Sequence, residues 1–271
     1  MCELFGYSGS APGRLNDLLT EFFSHSCAHP DGWGLAVPDG GHMEIEKEPL
    51  QASRSEYLRE RLREPVISAL LLAHIRYATI GNVERRNCHP FTGFDNTGRQ
   101  WTLVHNGTIF DDPAIYPYSS LQKGDTDSER ILLYILDLVN TETARRGRPL
   151  TDLERFDLLD RLMVSLSEGN KLNLLLYDSS LLYVHINQKE GLHYCRREEG
   201  TVFSTRPLFP DLWDWQPVPS TRLILSRPKD WNWQKNARTG SCREIRFPEA
   251  VPAILIPYLR AEEKNALKQA V

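Results

Sequence analysis

The chain is short of long apolar runs, of basic excess and of paired cysteines, and each shortage removes a class of function. No stretch approaches the roughly 18 to 20 apolar residues of a membrane span. The best run, Val66 to Ala73, is strand-sized, so no membrane partner is expected. Lys and Arg number 32 against 36 Asp and Glu, a formal net charge of -4. That balance leaves no basic footprint for a nucleic acid. The five cysteines (Cys2, Cys27, Cys88, Cys195, Cys242) are odd in number, scattered and without a CxxC pair. This is not a disulfide framework, and a reducing cytoplasm is the expected location. The first residues, Met1 to Ser10, lack the basic start and apolar stretch of a signal peptide. Repeats, low-complexity segments and long linkers are missing too, so a single domain over residues 1–271 is expected. What is present is ordinary for a globular protein: 41% hydrophobic and 25% charged residues, in a chain long enough to bury a sizeable core.

Local patterns predict mixed elements. Cys2 to Tyr7 reads as a strand, Leu15 to Phe23 as a helix, and Gly34 to Val37 with Met43 to Glu46 as strands around Asp39-Gly40-Gly41. Ser53 to Arg63 reads as a surface helix. Val66 to Ile75 is too uniformly apolar for a half-exposed strand and is placed inside a sheet covered on both faces. Trp101 to His105 is a second such strand, ended by Asn106-Gly107. Thr126 to Glu129 offers a capping box for a helix whose apolar period runs to Val139, and Asp152 to Ser167 is a second long helix. Short strands follow at Leu172 to Tyr177, Leu181 to Ile186, Leu192 to Cys195, Thr201 to Ser204 and Leu223 to Leu225. Strands at both ends with two long helices between them predict an α+β design.

Several short patterns carry chemistry, each beside a plainer structural reading. Cys2 follows an initiator Met that is usually trimmed when the next side chain is small. Trimming puts a thiol and a free α-amine on one residue, a nucleophile with its own base. His105-Asn106-Gly107 is either a strand-ending turn or an oxyanion hole built from an amide side chain and a backbone N–H. Arg76 closes a buried strand, as a surface ion pair or as a guanidinium fork for a carboxylate, with Thr79 as a further donor. Asp125 and Asp127 suit a helix start. Only one is needed as a cap, which frees the other to receive an ammonium. Asp31-Gly32-Trp33-Gly34 and His89-Pro90-Phe91 are rigid turns, structural or pocket-forming. Taken together, a thiol, a carboxylate grip, an ammonium grip and an oxyanion hole describe a glutamine-shaped site.

The set resembles the class II glutamine amidotransferases, a branch of the amino-terminal nucleophile hydrolases. The matching residues are Met1 to Gly6, Asp31 to Gly34, His74 to Thr79, Asn87 to Phe91, His105 to Gly107 and Asp125 to Glu129. They stand in the family's order over about the first 130 residues, and the likeness is to its stand-alone branch. The resemblance implies a four-layer αββα sandwich of two antiparallel sheets between helices. It implies catalytic roles for Cys2, Asn106 and Gly107, with substrate contacts from Arg76, Tyr77, Thr79 and Asp127. It further implies a pocket shaped by Asp31, Gly32, Trp33, Gly34, His89 and His105. Tyr77 stands where many relatives carry Trp. No cofactor and no metal is implied. The partners implied are glutamine or another γ-glutamyl small molecule and a separate ammonia-accepting synthase, since too little chain follows for a synthase domain. Two other readings are open: a hydrolase of a larger γ-glutamyl amide, and a metal-binding or ligand-binding module using His74, Cys88, His89 and His105.

Overall fold

The computed structural model describes residues 1–219 and 223–226. Two antiparallel sheets stack face to face. The larger has the order β11-β9-β10-β1-β4-β2-β3. Its strands are β1 (Glu3–Arg14), β2 (Trp33–Asp39), β3 (His42–Glu48), β4 (Ile67–Ile75), β9 (His193–Arg196), β10 (Gly200–Ser204) and β11 (Gln216–Pro217). The smaller has the order β12-β8-β7-β6-β5. It contains β5 (Phe91–Phe94), β6 (Gln100–Thr108), β7 (Lys171–Tyr177), β8 (Leu182–Ile186) and β12 (Leu223–Ser226). Helices α1 (Asn16–Ser24) and α2 (Glu56–Arg61) lie outside the first sheet, and α3 (Asp127–Arg146) and α4 (Asp152–Ser167) outside the second.

Strand periodicity explains the four layers. Successive side chains face opposite sides of a sheet. On β4, Leu70 and Leu72 enter the layer between the sheets, while Leu71, Ala73 and Ile75 pack outward beneath α1 and α2. On β7, Leu175 points inward while Leu174 and Leu176 meet α3 and α4. A strand buried on both faces reads as a continuous apolar run, which is how both appeared in the sequence.

The differences from the sequence-based expectations are local. The first strand continues past Tyr7 to Arg14, with a register shift between Ser8 and Gly13 that hid its alternation. The helix expected over Ser53 to Arg63 is split, because the Ser55 side chain caps α2 by accepting from Leu58 N at 2.9 Å. Asn106-Gly107 is no turn: Asn106 pairs with Asn173 and Gly107 with Leu172 inside the β6–β7 ladder. Thr126 caps α3 through Glu129 N. The Glu129 carboxylate, however, accepts from Lys123 N and Gly124 N, so the box expected there is half made. The full capping box is at Thr151 and Glu154 of α4.

One buried polar network ties α4 to its sheet. Arg155 Nε lies 2.6 Å from Asp178 Oδ2, its other donors reach Leu150 O and Asp152, and Tyr183 donates to the same Asp178 oxygen. Breaking a buried pair strands the partner's charge. Arg155→Met is therefore expected to lose about 3–5 kcal/mol, read as a lowered urea midpoint with an unchanged slope.

Candidate active site

Cys2 stands one residue ahead of β1, which is hydrogen-bonded on both sides. Pairing of Glu3 with Ile75 carries Cys2 to the end of β4, where its Sγ lies 3.4 Å from both the backbone N and O of Tyr77. The amide donates to the sulfur and the thiol donates to the carbonyl. Burial pushes the Cys2 thiol up to about 11, and the Asp127 carboxylate adds to this. The Tyr77 backbone bond, the chain's terminal ammonium and Arg76 act in the opposite direction. With Met1 in place, then, the thiol holds its proton at neutral pH, and a base is needed to free it.

Arg76 follows directly. Its backbone amide donates to Gly32 O at 2.8 Å, and Asp31 N returns a bond to Arg76 O, which locks the end of β4 to the start of β2. Three guanidinium N–H contacts go to carbonyl oxygens of the next loop, at Asn82 (2.9 Å), Ile80 (2.9 Å) and Gly81 (3.1 Å). Much of Arg76 thus organises residues 80–82. Asn87 donates to the same Asn82 carbonyl, and Asp125 accepts from Asn82 N and Nδ2. Asp125 is thus engaged with the loop. Tyr77 and Thr79 are exposed beside it.

The second sheet contributes β6. His74, opposite Leu4 in the β1–β4 ladder, reaches across with Nε2 3.2 Å from His105 O, so the two strand ends face each other. Beyond His105, Asn106 is buried with its Oδ1 unpartnered. Gly107 comes next, and a Cβ there would lie 1.9 Å from Lys171 O, so only glycine fits. Asp127, the first residue of α3, accepts from Ile109 N at 2.8 Å and from Ser128 N at 2.9 Å. Its charge reaches both Cys2 and His105, which places α3's start over the same end of the sandwich. His105 Nε2 faces the Lys171 carbonyl and donates to it, leaving Nδ1 to accept from Ser128 Oγ at 2.9 Å.

The residues expected to shape the pocket divide. Asp31 is half-buried and accepts from Ala78 N at 2.7 Å, which holds the backbone next to Tyr77. Gly32 and Gly34 pack closely, against Cys88 Sγ and His89 O. Trp33 walls no pocket: it is fully buried in the outer core, stacked on Tyr57, with Nε1 on Glu48. His89 stacks on His74 with ring centroids 4.0 Å apart, and both its ring nitrogens are unpartnered. The residues of the metal reading therefore stack rather than converge, and no metal-holding cluster of His, Cys, Asp or Glu occurs among the described residues. Sequence reasoning missed Asn82, Asn87, Glu3 and His29 as parts of this region. Asn87 lay within the motif Asn87 to Phe91 and Glu3 within Met1 to Gly6, but nothing local marked Asn82 and His29.

Burial lowers His74 to about 3 and His89 well below its ordinary value. In the unfolded chain both take up protons near pH 6.5, while in the fold His74 stays neutral almost to pH 3 and burial likewise holds His89 in its neutral form. The His74 contribution to stability is complete above about 6.5 and is lost as the pH falls toward 3, and that of His89 is lost in the same direction. Urea unfolding at pH 5 against pH 7.5 is expected to show a loss of about 2 kcal/mol from His74, with a weaker pH dependence of stability in His74→Asn.

Three comparisons bear on this arrangement. The family model for class II glutamine amidotransferases matches residues 1–238. YafJ of Escherichia coli K12, named as a glutamine amidotransferase, is 28% identical over 200 residues, covering 73% of this chain and 76% of its own. A predicted glutamine amidotransferase from Pseudomonas aeruginosa superposes with a TM-score of 0.58 at 22% identity, covering 84% of this chain and 98% of that one. The glutamine phosphoribosylpyrophosphate amidotransferase of B. subtilis superposes with a TM-score of 0.58 at 18% identity, over 83% of this chain but 47% of that one.

Proposed function

The chain belongs to the class II glutamine amidotransferases, and from that premise we propose that it hydrolyses the side-chain amide of glutamine through a thioester on Cys2. The observation that carries this reading is the setting of the Cys2 thiol. It is bonded to the Tyr77 backbone and lies in the combined field of Arg76, Asp127 and the terminal ammonium. Once Met1 is removed, the new α-amine of Cys2 takes the thiol proton. The sulfur bonds to the amide carbon, and the oxyanion is met by the Asn106 amide and the Gly107 N–H. The C–N bond then breaks as the ammonium returns its proton to the leaving ammonia. Water, attacking through a second oxyanion, releases glutamate and the free thiol.

Substrate recognition divides by charge. The guanidinium N–H groups of Arg76 not spent on residues 80–82 face the α-carboxylate, with Thr79 beside them. Asp127 receives the α-ammonium. Ammonia passes to a separate acceptor enzyme.

Intact mass spectrometry with a glutamine-mimicking electrophile tests the reading. A single adduct on Cys2, on chains lacking Met1 and suppressed by glutamine, is expected. Labelling of Cys27 or Cys88 instead, or labelling indifferent to glutamine, would overturn it. Ammonia release from glutamine compared with release from a larger γ-glutamyl amide reads which leaving group the site prefers.

A further inference from the structure

Behind Cys2, on the α1 side of the sheet, lies a polar cluster that the mechanism above does not use. Glu3 is almost fully buried at the start of β1. Its Oε2 lies 2.8 Å from His25 Nδ1, and its Oε1 lies 2.8 Å from Arg206 Nε and 3.6 Å from His29 Nε2. His29 is buried as well, with Nδ1 3.0 Å from His25 O and Nε2 2.9 Å from Met1 O. Both of these oxygens are carbonyls, which only accept. With Met1 attached, Nδ1 faces the His25 carbonyl and Nε2 faces the Met1 carbonyl, with the Glu3 carboxylate beside the ring.

Removal of Met1 changes what Nε2 faces. The oxygen in front of it leaves with the methionine. An amide oxygen and nitrogen share one carbon and lie about 2.2 Å apart. The 2.9 Å contact therefore puts Cys2 N within about 5 Å of His29 Nε2 already. His29 Nδ1 stays committed to the His25 carbonyl, so a neutral ring presents its lone pair at Nε2, toward the new α-amine.

We propose that His29, steadied by Glu3, is a positioning residue that accepts an N–H from the α-amine of Cys2 in the trimmed enzyme. This rests on Cys2 being the nucleophile and deepens that reading. The contact turns the amine so that its lone pair meets the thiol, and it stabilises the ammonium formed when the proton transfers. The charged and titratable groups around that amine are Glu3, His25, His29 and Arg206 from this cluster, Glu21 behind His25, and Arg76 and Asp127 from the thiol side.

The test uses full chains made as fusions and cut by a protease that leaves Cys2 first, each verified by mass. This removes any dependence on cellular trimming. His29→Ala is expected to lower kcat for glutamine by about tenfold to a hundredfold, with KM within about twofold. Losing the acceptor makes the α-amine easier to deprotonate, so the acid limb of the kcat/KM profile should move to lower pH. Glu3→Gln should move the limb the same way, and His29→Gln, which keeps an acceptor, should restore part of kcat. An unchanged kcat overturns the proposal, and so does a reduced kcat with the acid limb unmoved, since that is a structural effect only. If trimmed Cys2→Ala keeps its activity, the nucleophile assignment itself has failed, and the two failures are distinct.

Discussion

Trimmed Cys2→Ala is expected to lose on the order of 10⁴-fold or more of its glutamine turnover while still binding glutamine. The side chain removed is the one proposed to form the covalent bond, and Cys88 does not stand in for it: it is buried, with Sγ directed to the Glu48 and Glu84 carbonyls. Protein that keeps Met1 is expected to be almost as inactive, for a different reason. Burial leaves its thiol at about 11. At pH 7.5 the thiolate fraction is then about 0.03%, and Cys2 has no α-amine of its own to take the proton. Steady-state ammonia release from trimmed, untrimmed and Cys2→Ala protein checks both statements. Isothermal titration on the last separates binding from chemistry. Full activity in untrimmed protein would remove the α-amine from the mechanism.

Asn106→Ala is the second large effect. Losing one oxyanion donor typically costs about 2.7 to 4 kcal/mol, a kcat loss of roughly two to three orders of magnitude. KM should hold, because the oxyanion exists only after attack. The fold should hold too. Asn106 Oδ1 has no partner among the described residues, so truncation breaks no bond there, and its backbone pairing with Asn173 does not depend on the side chain. A melting temperature close to that of the parent, alongside the collapse in kcat, would mark the residue as chemical rather than structural. Unchanged turnover would sink the assignment.

The layers of this fold could be read from the chain because its central strands are buried on both sides. Val66 to Ile75 announces itself by uniform apolarity, and the long helices by period and cap. What escaped reading depends on partners far away in sequence. Asn106-Gly107 has the composition of a turn. It stays extended because Leu172 and Asn173, more than sixty residues on, complete its ladder. Arg76 was expected as an open fork, and only the folded path of residues 80–82 shows where most of its donors go. Glu3 and His29 belong to no periodic pattern and meet only when the end of α1 folds back over the first strand. Of the tryptophans in the carboxyl-terminal part, Trp213 and Trp215 stack on one another and pack against the outer core of the first sheet. Trp231 and Trp233 lie outside the described residues.

Chain termini usually fray. Here the first ordered strand is flanked by β4 on one side and β10 on the other, and Leu4 exchanges hydrogen bonds with Thr205 through both its N and O. Amide hydrogens of Phe5 to Tyr7 should therefore exchange only on global opening, and the anchorage of Cys2 is as durable as the whole domain. The same arrangement has a practical side. Anything appended before residue 2, from a purification tag to a retained methionine, emerges from the middle of a sheet beside the Cys2 thiol instead of from a loose end. Handles for purification or immobilisation belong elsewhere on this molecule.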